Sequence, residues 1–321
     1  MKLFAPINNS KIAASKWAGR HWGLDILMVL LFFAIEQAIV MVALVVMLIV
    51  GIFKNLANIR TGAMDYSGLT GFVLDFTSGP AANLVMLYCT LAMIITILIF
   101  TKKKEKWSVR ELGIKKEMFL PRYLGGLAIG FVMFSGAVFF CKITGTVSLS
   151  LSNDTNKYLI PFFVVAWMIQ GFSEELLCRG WMMVSIGRRY STLVAVVVNS
   201  IVFAALHLMN PGVTILAVIN LLLFAVFASL LYLVSENIWM VAALHSVWNF
   251  VQGNFYGILV SGTPITTSIF QTEMVPGKEM FTGGDFGLEG GLGVTVVNVI
   301  GIAIVYMIYR LKNKQALKEE S

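Results

Sequence analysis

The sequence predicts an all-α, polytopic membrane helical bundle of about eight transmembrane helices, and three observations predict it. Only 13% of the residues are charged and 58% are hydrophobic, where a soluble domain carries roughly 25% charged residues, and the mean hydropathy is +0.83. The apolar residues lie in long runs rather than in alternation, so each run can satisfy its own backbone hydrogen bonds as a helix, which a barrel strand cannot do. Lysine and arginine are shared very unequally between the segments that join these runs, and that bias orients membrane helices.

A spanning helix needs about twenty mainly apolar residues, and suitable runs lie near 24–53, 83–100, 123–141, 159–186, 191–208, 212–234, 237–256 and 293–310. The first follows the polar stretch Met1–His21 and is about thirty residues long. That exceeds the apolar stretch of a removable signal, so a retained span is expected. Spans one to three, with the basic segment 101–122, make an N-terminal region over 1–150; spans four to seven make a core over 151–256. Residues 257–321 carry a long outer loop and the last span. Its glycines, from Gly283 to Gly293, suggest a flexible loop without convincing helix or strand. The other long outer segment is 54–82.

Eight spans put Lys2, Lys11, Lys16 and Arg20, the loop from Lys102 to Arg122, Arg179, Arg188 and Arg189, and the tail with Arg310, Lys312, Lys314 and Lys318 on one side. That is nineteen of 24 basic residues, against Lys54, Arg60, Lys142, Lys157 and Lys278 on the other. Both termini are therefore expected to be cytoplasmic, and an integral protein of the bacterial cell membrane is expected because no motif points to a eukaryotic organelle. The net charge of +7 then reflects topology, and no nucleic-acid partner is implied, since no soluble segment is long enough to carry a basic face. Cys89, Cys141 and Cys178 are odd in number and lack CxxC spacing, which suggests buried thiols rather than disulfides or a thiolate metal site.

An ionisable residue within the bilayer costs roughly 2.5–3.5 kcal/mol on insertion scales, so each one is a functional candidate. The clearest set is Glu174, Glu175 and Arg179 in the fourth span, His207 near the end of the fifth, and His245 with Asn249 in the seventh. Residues four apart share a helix face. Glu175 can therefore pair with Arg179, leaving Glu174, about 100° away, free for chemistry. His245 and Asn249 share a face, as do Asn199, Phe203 and His207. A carboxylate, imidazoles and an amide converging on one point suit hydrolysis by activated water, with no serine or cysteine nucleophile. Measured along straight helices, however, Glu174, His207 and His245 sit at different depths; tilt, a fifth helix starting below the membrane plane or a broken fourth helix is expected to bring them level.

The ordered set Glu174-Glu175-x-x-x-Arg179-Gly180, Phe203-x-x-x-His207 and His245-x-x-x-Asn249 resembles the three motifs of the CAAX protease and bacteriocin-processing family, also called Abi proteins, which includes the type II CAAX prenyl proteases. The likeness is strong over 155–255, and Trp107 to Ile114 (WSVRELGI) resembles the short stretch that precedes the family's core. The resemblance implies an intramembrane endopeptidase in which Glu174 and His207 activate water, His245 and Asn249 stabilise the tetrahedral intermediate, and Glu175 and Arg179 support the site. Membrane lipid and a membrane-associated or lipidated peptide would be its partners, in peptide processing or bacteriocin immunity.

Other readings stand beside this one. Glu174, His207 and His245 could form a zinc site with an open position for water, although HExxH is absent and the resemblance favours a mechanism without metal or other cofactor. The motifs could serve a non-catalytic immunity or signalling partner. Glu36 and Glu236 could belong to a proton-coupled transporter, but no inverted repeat accompanies them, and Glu36 is better read as a hydrogen-bond partner or cavity-lining group.

Overall fold

The structure, a computed structural model, describes residues 21–61, 68, 71, 73, 79–154 and 156–319. The basic stretch with Lys2, Lys11, Lys16 and Arg20, and most of segment 54–82, lie outside the described residues.

Each apolar run forms a helix: α1 (Trp22–Arg60), α2 (Pro80–Glu105), α3 (Phe119–Ile143), α4 (Lys157–Arg189), α5 (Thr192–Ala205), α6 (Ile215–Ser235), α7 (Ile238–Phe250, followed by a π turn Val251–Phe255) and α8 (Leu292–Glu319). Six of these, all but α5 and α7, are long and apolar enough to cross a bilayer. Side-chain caps define several starts: Ser191, Thr214 and Asn237 accept from the backbone N–H of Val194, Ala217 and Trp239, which satisfies donors a helix leaves unpaired. The short α5 gives way at Leu206–Met209 to a turn that runs into Asn210-Pro211-Gly212.

Polar contacts group the helix ends as the alternating topology requires. At one end Asp25 pairs with Arg189, Glu105 lies 4.0 Å from Arg188, Lys115 lies 3.7 Å from Glu236, and Lys312 Nζ donates to the Val234 carbonyl. Glu236 thus caps the end of α6 beside a lysine, outside the bundle interior. Arg179, counted above with the basic residues of this end, is wholly buried instead. Within the bundle, Phe32, Phe100 and Trp181 meet edge to face at 5.2–5.8 Å and lock α1, α2 and α4 together.

The depth problem is resolved at two places. Helix α4 is α-helical from Ile160 to Glu175 and then widens into a π segment, Leu176–Met183, a device often found at functional sites. More decisively, α7 starts inside the bundle. The segment after Trp107 folds in beneath it: Gly113 and Lys115 carbonyls accept from Ile238 N–H and the Trp239 indole. Gly180 abuts both Ile238 and the Leu112 carbonyl. Ile238 is thus level with Gly180, and seven residues further on, about 10 Å, His245 comes level with the two glutamates. The sequence reading looked to tilt, to a fifth helix starting below the membrane plane or to a break in the fourth; the structure adds a recessed start of the seventh.

In place of an outer loop without regular structure, residues 257–291 contain β2 (Phe270–Met274), antiparallel to β1 (Val147–Leu151) with Val147 opposite Met274, and short helical turns. Phe286, Leu288 and Glu289 are buried. The glycines that suggested a loose chain permit close approach: at Gly287, φ is 88° and a Cβ would stand 2.1 Å from the Leu259 carbonyl oxygen.

Candidate active site

Helix α4 approaches α7 closely at Gly171, where a Cβ would lie 2.5 Å from Ser246 Oγ and 2.7 Å from its backbone nitrogen. Small residues allow such contacts between membrane helices. One turn along, this proximity brings the polar faces of both helices together.

Glu175 and Arg179 are both 0% exposed, and Arg179 Nη1 donates to Glu175 Oε1 at 2.9 Å. Arg179 Nη2 also donates to the Ala225 carbonyl on α6, and the guanidinium stacks 4.8 Å over the Phe203 ring. The same Glu175 oxygen lies 2.8 Å from His245 Nδ1. A carboxylate only accepts, so Nδ1 carries the proton and Nε2 faces the other way. There it stands 3.8 Å from Glu174 Oε2. The imidazole is held between Phe203 and Phe224, with ring centroids 6.0 and 5.2 Å away.

A bridge absent from the expected set completes the arrangement. Gln170 donates to Glu174 Oε1 at 2.5 Å and accepts from Asn249 Nδ2 at 2.9 Å, so Asn249 is oriented with its second N–H uncommitted to Gln170. The i, i+4 spacing of Gln170 and Glu174 in an apolar helix was the sequence signal for it.

His207 is placed differently. It sits in the turn past α5, with Nδ1 2.9 Å from the Phe203 carbonyl and its ring 4.9 Å from that of Phe203. The carbonyl can only accept, which leaves Nε2 as its free ring nitrogen. Asn199, on the same face in sequence, instead donates to Ser229 on α6.

Glu174, His207, His245 and Asn249 all line one cavity of about 240 Å³. Its far wall comes from α1 and α2 (Glu36 and Asn83) and from the outer loop (Ser261 and Glu289). Glu289 accepts from the Trp248 indole and from the N–H and hydroxyl of Ser261, fixing the loop over the cavity. The three side chains weighed as zinc ligands share the cavity but do not form a ligand set: among the described residues no three His, Cys, Asp or Glu side chains are placed to hold a metal ion.

This geometry falls within a recognisable segment. Residues 156–251 match the family described as type II CAAX prenyl endopeptidase Rce1-like. The comparisons with curated proteins and with solved structures gave no match. The Rce1-like segment contains Glu174, Glu175, Arg179, His207, His245 and Asn249 together with Gln170, in agreement with the resemblance drawn from the motifs. The Rce1-like family is a protease family, which supports a peptidase. Glu36, Asn83, Ser261 and Glu289 lie outside the matched residues.

Proposed function

We propose that this protein is an intramembrane endopeptidase that hydrolyses a peptide bond of a membrane-associated or lipidated peptide with water activated by Glu174. The observation that carries the reading is the 3.8 Å approach of His245 Nε2 to Glu174 Oε2 inside a cavity where Gln170 ties the same glutamate to Asn249.

In this mechanism Glu174 removes a proton from water as the water oxygen bonds to the scissile carbonyl carbon. The carbonyl π electrons move onto oxygen, and the oxyanion accepts from the second N–H of Asn249 and from His245, protonated at Nε2 and balanced by the flanking glutamates. The proton held by Glu174 then passes to the leaving nitrogen as the C–N bond breaks, giving a carboxyl and an amine product and restoring the carboxylate. His207 Nε2 accepts a hydrogen bond from the attacking water. Glu175 and Arg179 position His245. No step needs a metal.

The charge distribution supports a membrane protein with cytoplasmic termini; the wall built from the outer loop then lies on the opposite, non-cytoplasmic side. The reading is tested with purified protein in liposomes and a library of internally quenched peptides, products being sequenced by mass spectrometry. Cleavage is expected and is expected to persist in EDTA and 1,10-phenanthroline. Loss of activity restored by zinc would replace the glutamate mechanism with a metalloprotease, and complete inertness alongside peptide binding would favour the partner-protein reading.

The α4–α7 contact gives a second expectation. A Gly171→Ala methyl would push Glu174 and Gln170 away from His245 and Asn249, and misplacement on the order of 1 Å lowers rate by about a hundredfold. Steady-state cleavage by G171A, with helical content checked by circular dichroism, measures it; an unchanged kcat would show that this close packing does not set the site geometry.

A further inference from the structure

Helix α1 turns one narrow stripe toward the bundle, Val29, Phe32, Glu36 and Val40, while neighbouring residues such as Leu30, Leu31, Met41 and Val42 are exposed. The spacing of three and four residues is that of one helix face. A carboxylate on this stripe is costly within a membrane, yet Glu36 is only 6% exposed and its Oε2 has no hydrogen-bond partner among the described residues. On α2, Asn83 is 3% exposed and its Oδ1 is likewise unpartnered. Both side chains line the cavity that Glu174 lines.

Depth places Glu36 in the same zone as the reacting groups. Asp25 is paired with Arg189; eleven residues along α1 from that level is about 16 Å, and fifteen back along α4 to Glu174 is at most about 22 Å. Among the described residues, the charged groups of the cavity wall are Glu36, Glu174 and Glu289, with His207 and His245, and neither lysine nor arginine lines it. Glu289 already has three donors and Glu174 has Gln170. Glu36 therefore offers an acceptor, Asn83 lines the same cavity, and a carboxylate left unpaired in low dielectric is stabilised most by a cation.

We infer that Glu36 and Asn83 form a subsite for a cationic group of the peptide, a lysine or arginine side chain near the scissile bond, and that Glu36 sets this preference. The inference rests on the peptidase reading for the word substrate, while the subsite itself is a matter of binding. A peptide that had to bring a free C-terminal carboxylate into the cavity would meet carboxylates without a compensating Lys or Arg, so basic peptides are selected over acidic ones.

The experiment separates the two readings. Binding is measured in liposomes with the Glu174→Gln variant, using one dansylated decapeptide with a single central lysine and the same peptide carrying acetyl-lysine or glutamate there, followed by energy transfer from Trp167 and Trp248, which line the cavity. The lysine peptide is expected to bind at least about tenfold more tightly than the acetylated one, and adding Glu36→Gln should abolish that ratio while leaving the acetylated peptide's affinity within about twofold. Cleavage of the same peptides by the wild type should show the same preference in kcat/KM, and E36Q should lose it. Selective binding without cleavage would sustain the subsite and remove the peptidase. Equal binding of all three peptides, or a preference that survives E36Q, would overturn the subsite even if cleavage is robust. Should E36Q not insert, Asn83→Leu gives a second arm, expected to weaken lysine-peptide binding about threefold; an unaltered ratio there also counts against the proposal.

Discussion

Replacing Glu174 with glutamine is expected to reduce kcat by about 10³-fold or more while the protein still inserts, folds and binds peptide. The substitution keeps the shape of the side chain but removes the only group the mechanism uses to take a proton from water and return it to the leaving nitrogen, and general acid–base catalysis by one residue contributes roughly 10²–10⁴-fold. Stability should change little: the Glu174 side chain is 26% exposed to the cavity, and a glutamine oxygen can still accept from Gln170. The measurement is single-turnover cleavage in liposomes beside thermal unfolding in detergent. Wild-type rates from E174Q would leave water without its activating base and end the proposal. Loss of rate together with loss of folding would instead assign Glu174 a structural role, contrary to its partial exposure.

The residues that bear charge or a ring nitrogen within apolar runs were legible in the sequence because burial of such groups in lipid is expensive, and the family motifs fixed their pairing. Glu174, Glu175, Arg179, His245 and Asn249 do converge, and i, i+4 spacing correctly paired Glu175 with Arg179. What spacing along single helices could not show was registry between helices. The inward fold of 107–117 beneath Ile238 sets the start of α7 level with Gly180 rather than with the end of α4, and that depends on backbone carbonyls at Gly113 and Lys115, which carry no compositional signature. Gln170 escaped notice for a related reason: a neutral amide in a membrane helix reads as packing glue until its two partners, on two helices, are known. In the outer loop the glycines misled because composition registers conformational freedom, whereas at Gly287 the missing side chain serves close packing against Leu259. On the distant wall of the cavity, Glu36 was legible as a cavity-lining carboxylate because its charge is costly in an apolar run, whereas Asn83, a neutral amide outside the matched segment, carried no such signal.

The largest expected effect on stability lies five residues from the base, at the arginine that pairs with Glu175. Arg179 is fully buried, bonded to Glu175 and to the Ala225 carbonyl, and stacked on Phe203. Truncation in Arg179→Ala would leave Glu175 as a buried anion with only His245 beside it, and removal of one partner of a buried pair costs about 3–5 kcal/mol. Denaturant unfolding in mixed micelles should register that loss, and cleavage should fall with it. A structural role alone would predict the same, so the informative variant is the double substitution Glu175→Leu with Arg179→Met. Replacing both charges with apolar groups removes the desolvation cost as well as the attraction, so most of the stability should return. Activity should not, because His245 would lose the acceptor that fixes its Nδ1 proton and aims Nε2 at Glu174. Full activity in the stable double variant would show that the pair merely satisfies its own burial, and the imidazole would then need another source of orientation.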